Sequence, residues 1–267
     1  MPSKRREREL ARQRYQRRRE EVARRRKRQQ RRNAVVAGAL AALLVLGGAA
    51  YGVSLLAGGD DKKDSSTLAS PTPASTAPAS PGGCAYATAQ ESPAKKVTPP
   101  DTSTVDRTHD YTATIKTNSG TITVDLLASK APCTVHSFRS LAAQKYYDNT
   151  PCHRLTSGGL NVLQCGDPTG TGGGGPGYQF AEENLAGATY KAGTVAMART
   201  QTPGSNGSQF FLVYKDSSLP PDYTPFGRVT AGLDVLQKIA AQGSTPAGDG
   251  KPKKAVTIQS ITVKLKG

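Results

Sequence analysis

Tryptophan is absent from this chain of 267 residues, and histidine, methionine and cysteine are scarce, at three, two and four. His109, His136 and His153 have no partners at metal-ligand spacing, so no metal site is indicated. The four cysteines form no Cys-x-x-Cys motif, which leaves disulfide-exchange chemistry without a basis. The glycine-rich run from Gly170 to Gly177 lacks a following Lys-Ser/Thr and an evident helix start, so it is not a phosphate-cradling loop. A flexible loop beside a substrate groove fits it better. Internal repeats are missing, as is any βαβ alternation, which argues against a Rossmann-type sheet. No cofactor is implied.

Positive charge is plentiful but unevenly placed. Residues 1–33 hold 16 of the 36 Lys+Arg and 4 of the 20 Asp+Glu, hence +12 of the formal +16. The remaining 234 residues carry only +4, so the globular part gives no sign of a polyanionic partner and nucleic acid is not expected. Directly after this arm, residues 34–57 contain no charge at all. At 1.5 Å per residue, 24 residues are long enough to cross a hydrocarbon core of about 30 Å. Arginines before an uncharged span place the N-terminus in the cytoplasm. The basic region and the apolar stretch are both too long for a cleaved signal peptide, and no lipobox precedes Cys84. The expectation is a single-pass signal anchor in the cell membrane, with the rest of the chain extracytoplasmic.

Residues 58–108 are rich in Ser, Thr, Pro, Ala and Gly and poor in long aliphatics, a composition that predicts a flexible tether. Folded structure is expected over residues 109–267. Period-two patterns at Tyr111–Lys116 and Thr121–Leu126 flank the turn signal Asn118-Ser119-Gly120. Val135, Phe138, Leu141 and Ala142 follow helical spacing after Pro132, which suits a first helical turn. Strands are expected at Val195–Ala198, Gln209–Tyr214 and Ala255–Leu265, with a second helix at Leu233–Ala241. Strands outnumber helices, which favours a closed antiparallel barrel.

The most informative stretch is Cys-His-Arg-Leu-Thr-Ser-Gly-Gly-Leu-Asn-Val-Leu-Gln-Cys-Gly-Asp, residues 152–167. It reads as a hairpin that sets Arg154 beside Gln164 on neighbouring strands. In the second cluster, Asn206 to Val213, alternation puts Gln209, Phe211 and Val213 on one face and Phe210 and Leu212 on the other. A guanidinium, two amides and an apolar ring suit a substrate that is half apolar and half amide, such as an X-Pro bond. Rotation about that bond needs no nucleophile, metal or acid–base pair. It needs a fixed donor that interacts best with the twisted state, in which the proline nitrogen becomes pyramidal and basic.

His153-Arg154, Gln164-Cys165-Gly166-Asp167, Gly170–Gly177, Gly207-Ser208-Gln209-Phe210-Phe211 and Phe226-Gly227-Arg228-Val229 together resemble the motifs of the cyclophilins. The likeness runs from about Tyr111 to the C-terminus. It implies peptidyl-prolyl cis-trans isomerase activity and a closed eight-stranded antiparallel barrel capped by two helices. It also implies Arg154 as catalytic donor, with Gln164 holding it and the substrate backbone. Gln209 would bond the substrate main chain, and Phe211 would floor a proline pocket lined by Leu219 and Met197, although Met197 could equally fill the core. Ala198, Arg199 and Thr200 correspond to a short segment that pairs with extended substrate, and Tyr223 stands where a histidine is common. His153 reads as a buried structural histidine.

The chain departs from the family in three places. Two extra residues lie between Arg154 and Gln164, and Asn161 stands where a pocket phenylalanine is usual, so either the loop is re-registered or one pocket wall is polar; Asn161 and Val162 are counted among the substrate-binding residues. Ser218 falls at the tryptophan of cyclosporin-sensitive members, so weak cyclosporin binding is expected. Cys84, Cys133, Cys152 and Cys165 all follow the apolar span, which suggests an oxidising compartment with three possible pairings. Cys133–Cys152 with Cys84–Cys165 is the pairing favoured here, against the alternative of four free thiols. The expected partners are proline-containing unfolded or extended polypeptides during the folding of exported proteins, acted on by a monomer. The alternative is a catalytically weak cyclophilin-fold chaperone or scaffold.

Overall fold

The computed structural model describes residues 83–266. The basic arm, the apolar run 34–57 and the first part of the expected tether lie outside the described residues. Among the described residues no helix is long and apolar enough to cross a membrane.

The elements in chain order are β1 (Ala87–Thr88), β2 (Tyr111–Thr117), β3 (Gly120–Leu126), α1 (Pro132–Ala143), β4 (Thr150–Pro151), β5 (Arg154–Thr156), β6 (Val162–Cys165), β7 (Tyr178–Gln179), β8 (Thr194–Met197), β9 (Phe210–Val213), β10 (Pro225–Ala231), α2 (Leu233–Ala241), β11 (Ser244–Thr245), β12 (Asp249–Pro252) and β13 (Thr257–Leu265). The chain is mainly β, with a curled antiparallel sheet and two helices. Its order is β11-β12-β5-β6-β9-β8-β10-β3-β2-β13-β4, while β1 and β7 pair apart. This differs from a regular ladder of eight strands. The first strand of the 152–167 hairpin begins at Arg154 as β5, and a separate two-residue strand, β4, precedes it; β4 pairs with β13 while β5 pairs with β12. Only Cys152 and His153 separate β4, at one edge of the sheet, from β5, third from the other edge.

The sequence dictates the interior through strand alternation. Ile115, Ile122, Val124, Leu163, Val195, Met197, Phe210, Leu212 and Phe226 all turn into one large apolar core. Val135, Phe138 and Leu141 of α1 complete it, with Phe138 edge-on to Phe210 at a centroid distance of 5.5 Å. The N-terminus of α1 lacks a local side-chain cap. Its donors go instead to Glu183, which accepts from Cys133 N at 3.1 Å and Thr134 N at 2.8 Å. A carboxylate there meets both the orphan amides and the positive end of the helix.

The expected tether is corrected over its second half, because residues 84–108 are strapped to the sheet and α1. Cys84 is disulfide-bonded to Cys133 at the start of α1. Tyr86 stacks edge-on against Tyr178 and Phe180, both at 5.5 Å, and its hydroxyl donates to Cys133 O at 2.7 Å. Lys95 Nζ donates to the carbonyls of Tyr146 and Asp148, and Gln144 exchanges bonds with the backbone of Thr98. One cross-link and one aromatic anchor supply what the aliphatic-poor composition does not.

The cysteine pairing is also corrected. The bridges are Cys84–Cys133 and Cys152–Cys165. A regular register would set Cys152 opposite Gly166; Cys152 lies instead in the break between β4 and β5, where its sulfur meets that of Cys165 at the base of the hairpin. Cys133, at the head of α1, meets the strap instead.

Candidate functional site

Arg154, Gln164, Phe211, Ala196 and Pro225 are successive cross-strand partners on β5, β6, β9, β8 and β10. Directly opposed residues share a face, so they form one row across the sheet. That face is the outer one, since Leu163, Phe210, Leu212 and Val195 take the interior. A second apolar cluster lies on it: Val162, Tyr190, Ala196, Ala198, Phe211 and Val213, with Leu160, Leu219 and Tyr223 packed against them. The alternation read from Gln209 to Val213 holds residue by residue. Phe211 is 5% exposed, and the Tyr223 ring leans on it at 5.6 Å.

The polar half begins at Arg154. Its Nη1 donates to Gln164 Oε1 at 3.2 Å, and Gln164 Nε2 donates to Gln209 Oε1 at 2.8 Å. Gln209 Nε2 donates onward to the carbonyls of Gly172 (2.9 Å) and Gly174 (3.0 Å) in the glycine loop. Each amide thus gives with its nitrogen and accepts with its oxygen, which fixes its orientation. On its other edge Arg154 meets Asp249, with Nε donating to Oδ1 at 2.7 Å and Nη2 to Oδ2 at 2.8 Å. The bonds to Asp249 raise the pKa of the guanidinium, and the bond from Arg154 lowers that of Asp249. Asp249 was missed by sequence reasoning; it lies 95 residues from Arg154 in a Gly-Asp-Gly turn that carries no spacing signal.

Asp167 organises the glycine loop. It is fully buried and accepts from the amides of Thr169 (2.7 Å), Thr171 (3.1 Å) and Gly172 (2.7 Å). Burial pushes its carboxyl up, but the bonds from Thr169, Gly174 and Gly172 outweigh that, and its pKa lies below the ordinary value. Gly166, at φ 93°, lets β6 pass against the Ser208 carbonyl, where a Cβ would collide. His153 is buried at both ring nitrogens, neither of which has a hydrogen-bond partner. Burial lowers its pKa, which keeps it neutral.

Several expected site residues sit elsewhere. Met197 turns into the core opposite Phe210, because β8 presents Ala196 and Ala198 to the outer face. Asn161 Nδ2 donates to Asp216 O at 2.7 Å, so it braces a loop rather than forming a pocket wall. Leu160 packs on the apolar cluster in its stead, a use of the longer hairpin loop. Arg199 is half of a loop clamp: Nε donates to Asp222 O at 2.7 Å, Nη1 to Thr200 O at 3.1 Å, and Glu182 lies 3.6 Å away. The Thr200 amide is bonded to Ser205 Oγ, and Ala198 N to Gln209 O. Val162, Leu219 and Tyr223 lie where expected, around Phe211.

The fold and this site define a mainly β domain with a cationic donor on the same sheet face as an apolar cluster built around Phe211. Comparison with known proteins makes the class specific. Residues 112–263 match the family described as cyclophilin type peptidyl-prolyl cis-trans isomerase/CLD, and the chain belongs to that family. It is 45% identical over 194 residues to a Mycobacterium leprae protein named "Probable peptidyl-prolyl cis-trans isomerase B", covering 67% of this chain and 65% of that one. A Mycobacterium tuberculosis protein of the same name is 50% identical over 160 residues, covering 54% of this chain and 52% of that one. The chain thus spans between about half and two thirds of these relatives' length. A crystal structure of a Cryptosporidium parvum cyclophilin type peptidyl-prolyl cis-trans isomerase aligns with TM-score 0.53 and 32% identity, covering 60% of this chain and 100% of that one. A second, in the presence of the dipeptide Ala-Pro, aligns with TM-score 0.51 and 34% identity over 57% of this chain and 98% of that one.

Proposed function

We propose that this chain is a peptidyl-prolyl cis-trans isomerase acting on proline-containing polypeptides. The observation that carries this is the row Arg154–Gln164–Phe211, a clamped guanidinium one strand removed from an apolar floor. The pocket would take the proline ring and Arg154 would donate to the prolyl nitrogen. Unaided, X-Pro bonds interconvert over tens to hundreds of seconds against a barrier of about 18–20 kcal/mol. As the amide twists, resonance is lost and the nitrogen lone pair becomes available. A donor aimed there bonds the twisted state more strongly than the planar ones and lowers the barrier. On the same reading, β4 and β5 count as one interrupted strand. The sheet then becomes a closed eight-stranded barrel with the β11–β12 hairpin appended.

The wider setting belongs to this proposal. Residues 34–57 anchor the protein, with its N-terminus cytoplasmic and the isomerase domain outside the membrane as a monomer. The two disulfides support an oxidising compartment, and hence exported proteins as clients. Ser218, whose amide bonds Gly159 O at 3.0 Å, offers no indole to cyclosporin, so weak binding is expected, and a nanomolar dissociation constant by calorimetry would contradict it.

The test is cis–trans exchange of a short X-Pro peptide, followed by NMR, with the purified full chain and Arg154→Ala. Acceleration that falls about a hundredfold or more in the variant supports the enzyme. No acceleration by the folded wild type, with peptide binding retained, supports the chaperone or scaffold alternative.

A further inference from the structure

Nothing in the motifs assigns a role to Asp249, yet it makes the two shortest bonds to the Arg154 guanidinium, at 2.7 and 2.8 Å. It opens β12, which pairs with β5 so that Asp249 lies opposite Thr156, two residues along the strand from Arg154. Residues two apart on a strand share a face, so the carboxylate reaches Arg154 diagonally. The β11–β12 hairpin that carries it is closely fitted. A Cβ on Gly250 would run into the backbone of Thr245 and Pro246.

The guanidinium has five N–H donors in a rigid plane. Asp249 takes Nε–H and one Nη2–H, and Gln164 takes one Nη1–H. One donor on Nη1 and one on Nη2 are left for the substrate. We propose that Asp249 is the positioning residue of the isomerase, a clamp that fixes the Arg154 plane and reserves these two donors for the reacting peptide bond. The inference rests on the isomerase reading above.

Two effects of the carboxylate oppose each other. It orients a long, rotamer-rich side chain in advance, so that no ordering remains to be done in the transition state. It also partly neutralises the charge that the twisted amide would feel. The side chains are 36% and 56% exposed, so water already screens the charge, and orientation is the larger effect. The same exposure makes the pair a minor contributor to stability. Asp249 therefore matters for turnover far more than for folding, which separates a positioning role from a structural one.

The experiment compares the full chain with Asp249→Ala and Asp249→Asn, reading kcat and KM by NMR exchange of an X-Pro peptide, thermal midpoint, and the Arg154 Nε–H signal. In Asp249→Ala, kcat should fall about tenfold to a hundredfold. KM should stay within about twofold, the midpoint should hold, and the Nε–H signal should broaden into exchange with water. Asp249→Asn, which keeps one acceptor, should fall between. An active wild type with an equally active Asp249→Ala overturns the clamp alone, as does activity that falls only in step with the thermal midpoint. A folded wild type without isomerase activity overturns the isomerase reading, and the clamp falls with it.

Discussion

Replacing Cys84 and Cys133 together by alanine cuts the cross-link that holds the strap of residues 84–108. The bridge closes a loop with a sequence separation of 49, for which chain entropy gives about 4 kcal/mol of stabilisation. For a domain of this size each kcal/mol moves the thermal midpoint by about 2–4 °C, so a loss of roughly 8–16 °C is expected if strap and barrel unfold as one unit. The bridge Cys152–Cys165 spans only 13 residues and is worth about 3 kcal/mol on the same account. Its removal should lower the midpoint less. It sits, however, at the base of the hairpin bearing Arg154 and Gln164, so its removal should lower isomerase activity more. The two double variants should therefore rank in opposite orders for stability and for turnover. Far-UV circular dichroism is the probe for melting, since the chain has no tryptophan. A midpoint change under about 2 °C for the Cys84/Cys133 variant would refute cooperative unfolding of the strap with the barrel. The same ranking in both assays would refute the division of roles.

Phe211→Ala removes the floor of the apolar pocket, where about 1.5–3 kcal/mol of apolar contact is at stake. Peptide affinity should weaken about tenfold to a hundredfold in an NMR titration, and unchanged affinity would place the proline ring elsewhere. Asp167→Ala strips the acceptor from three loop amides and should cost about 2–3 kcal/mol in urea unfolding at pH 7. Because the folded carboxyl has a lowered pKa, its contribution is present above the ordinary carboxylate range and is lost as pH falls through the folded value. The stability lost by the variant should thus be largest above the ordinary carboxylate range and shrink as pH falls through the folded value; a loss independent of pH would assign the effect to packing.

Both the polar row and the apolar floor were legible because they depend on short-range rules. A glycine-joined hairpin fixes Arg154 against Gln164, and period-two alternation fixes Phe211 against Phe210. The same hairpin does not reveal Cys152–Cys165, because its regular register sets Cys152 against Gly166 and only the break between β4 and β5 brings the two sulfurs together. Met197 stood open between pocket and core because its face depends on where β8 enters the sheet, and it lies in the core. Asn161 stood open between a polar wall and a re-registered loop, and it is the loop that differs: Leu160 packs on the apolar cluster and the Asn161 amide bonds Asp216 O. The strap and Asp249 were beyond sequence reading for another reason. Tyr86 meets Tyr178 and Asp249 meets Arg154 across more than ninety residues, and neither Tyr86 nor Asp249 lies in a motif.

These long-range pieces converge on one hydrogen-bonded line. Ala94 N bonds Gly175 O and Ala89 N bonds Gly177 O, so the strap steadies the glycine loop from outside while Asp167 gathers its amides from within. The loop presents the carbonyls of Gly172 and Gly174 to Gln209, which orients Gln164, which bonds Arg154, whose far edge is held by Asp249. The strap–loop, loop–Gln209 and Gln209–Gln164 links are neutral bonds, each worth about 1 kcal/mol and readily traded for water, whereas the bonds of Asp167 and of Arg154 are charge-assisted. The line therefore transmits orientation only while the loop stays ordered. Asp249 is the one partner that holds the guanidinium without depending on the loop. Loosening the strap should accordingly cost turnover less than loosening the clamp, because Asp249 still fixes the guanidinium plane when Gln164 wavers.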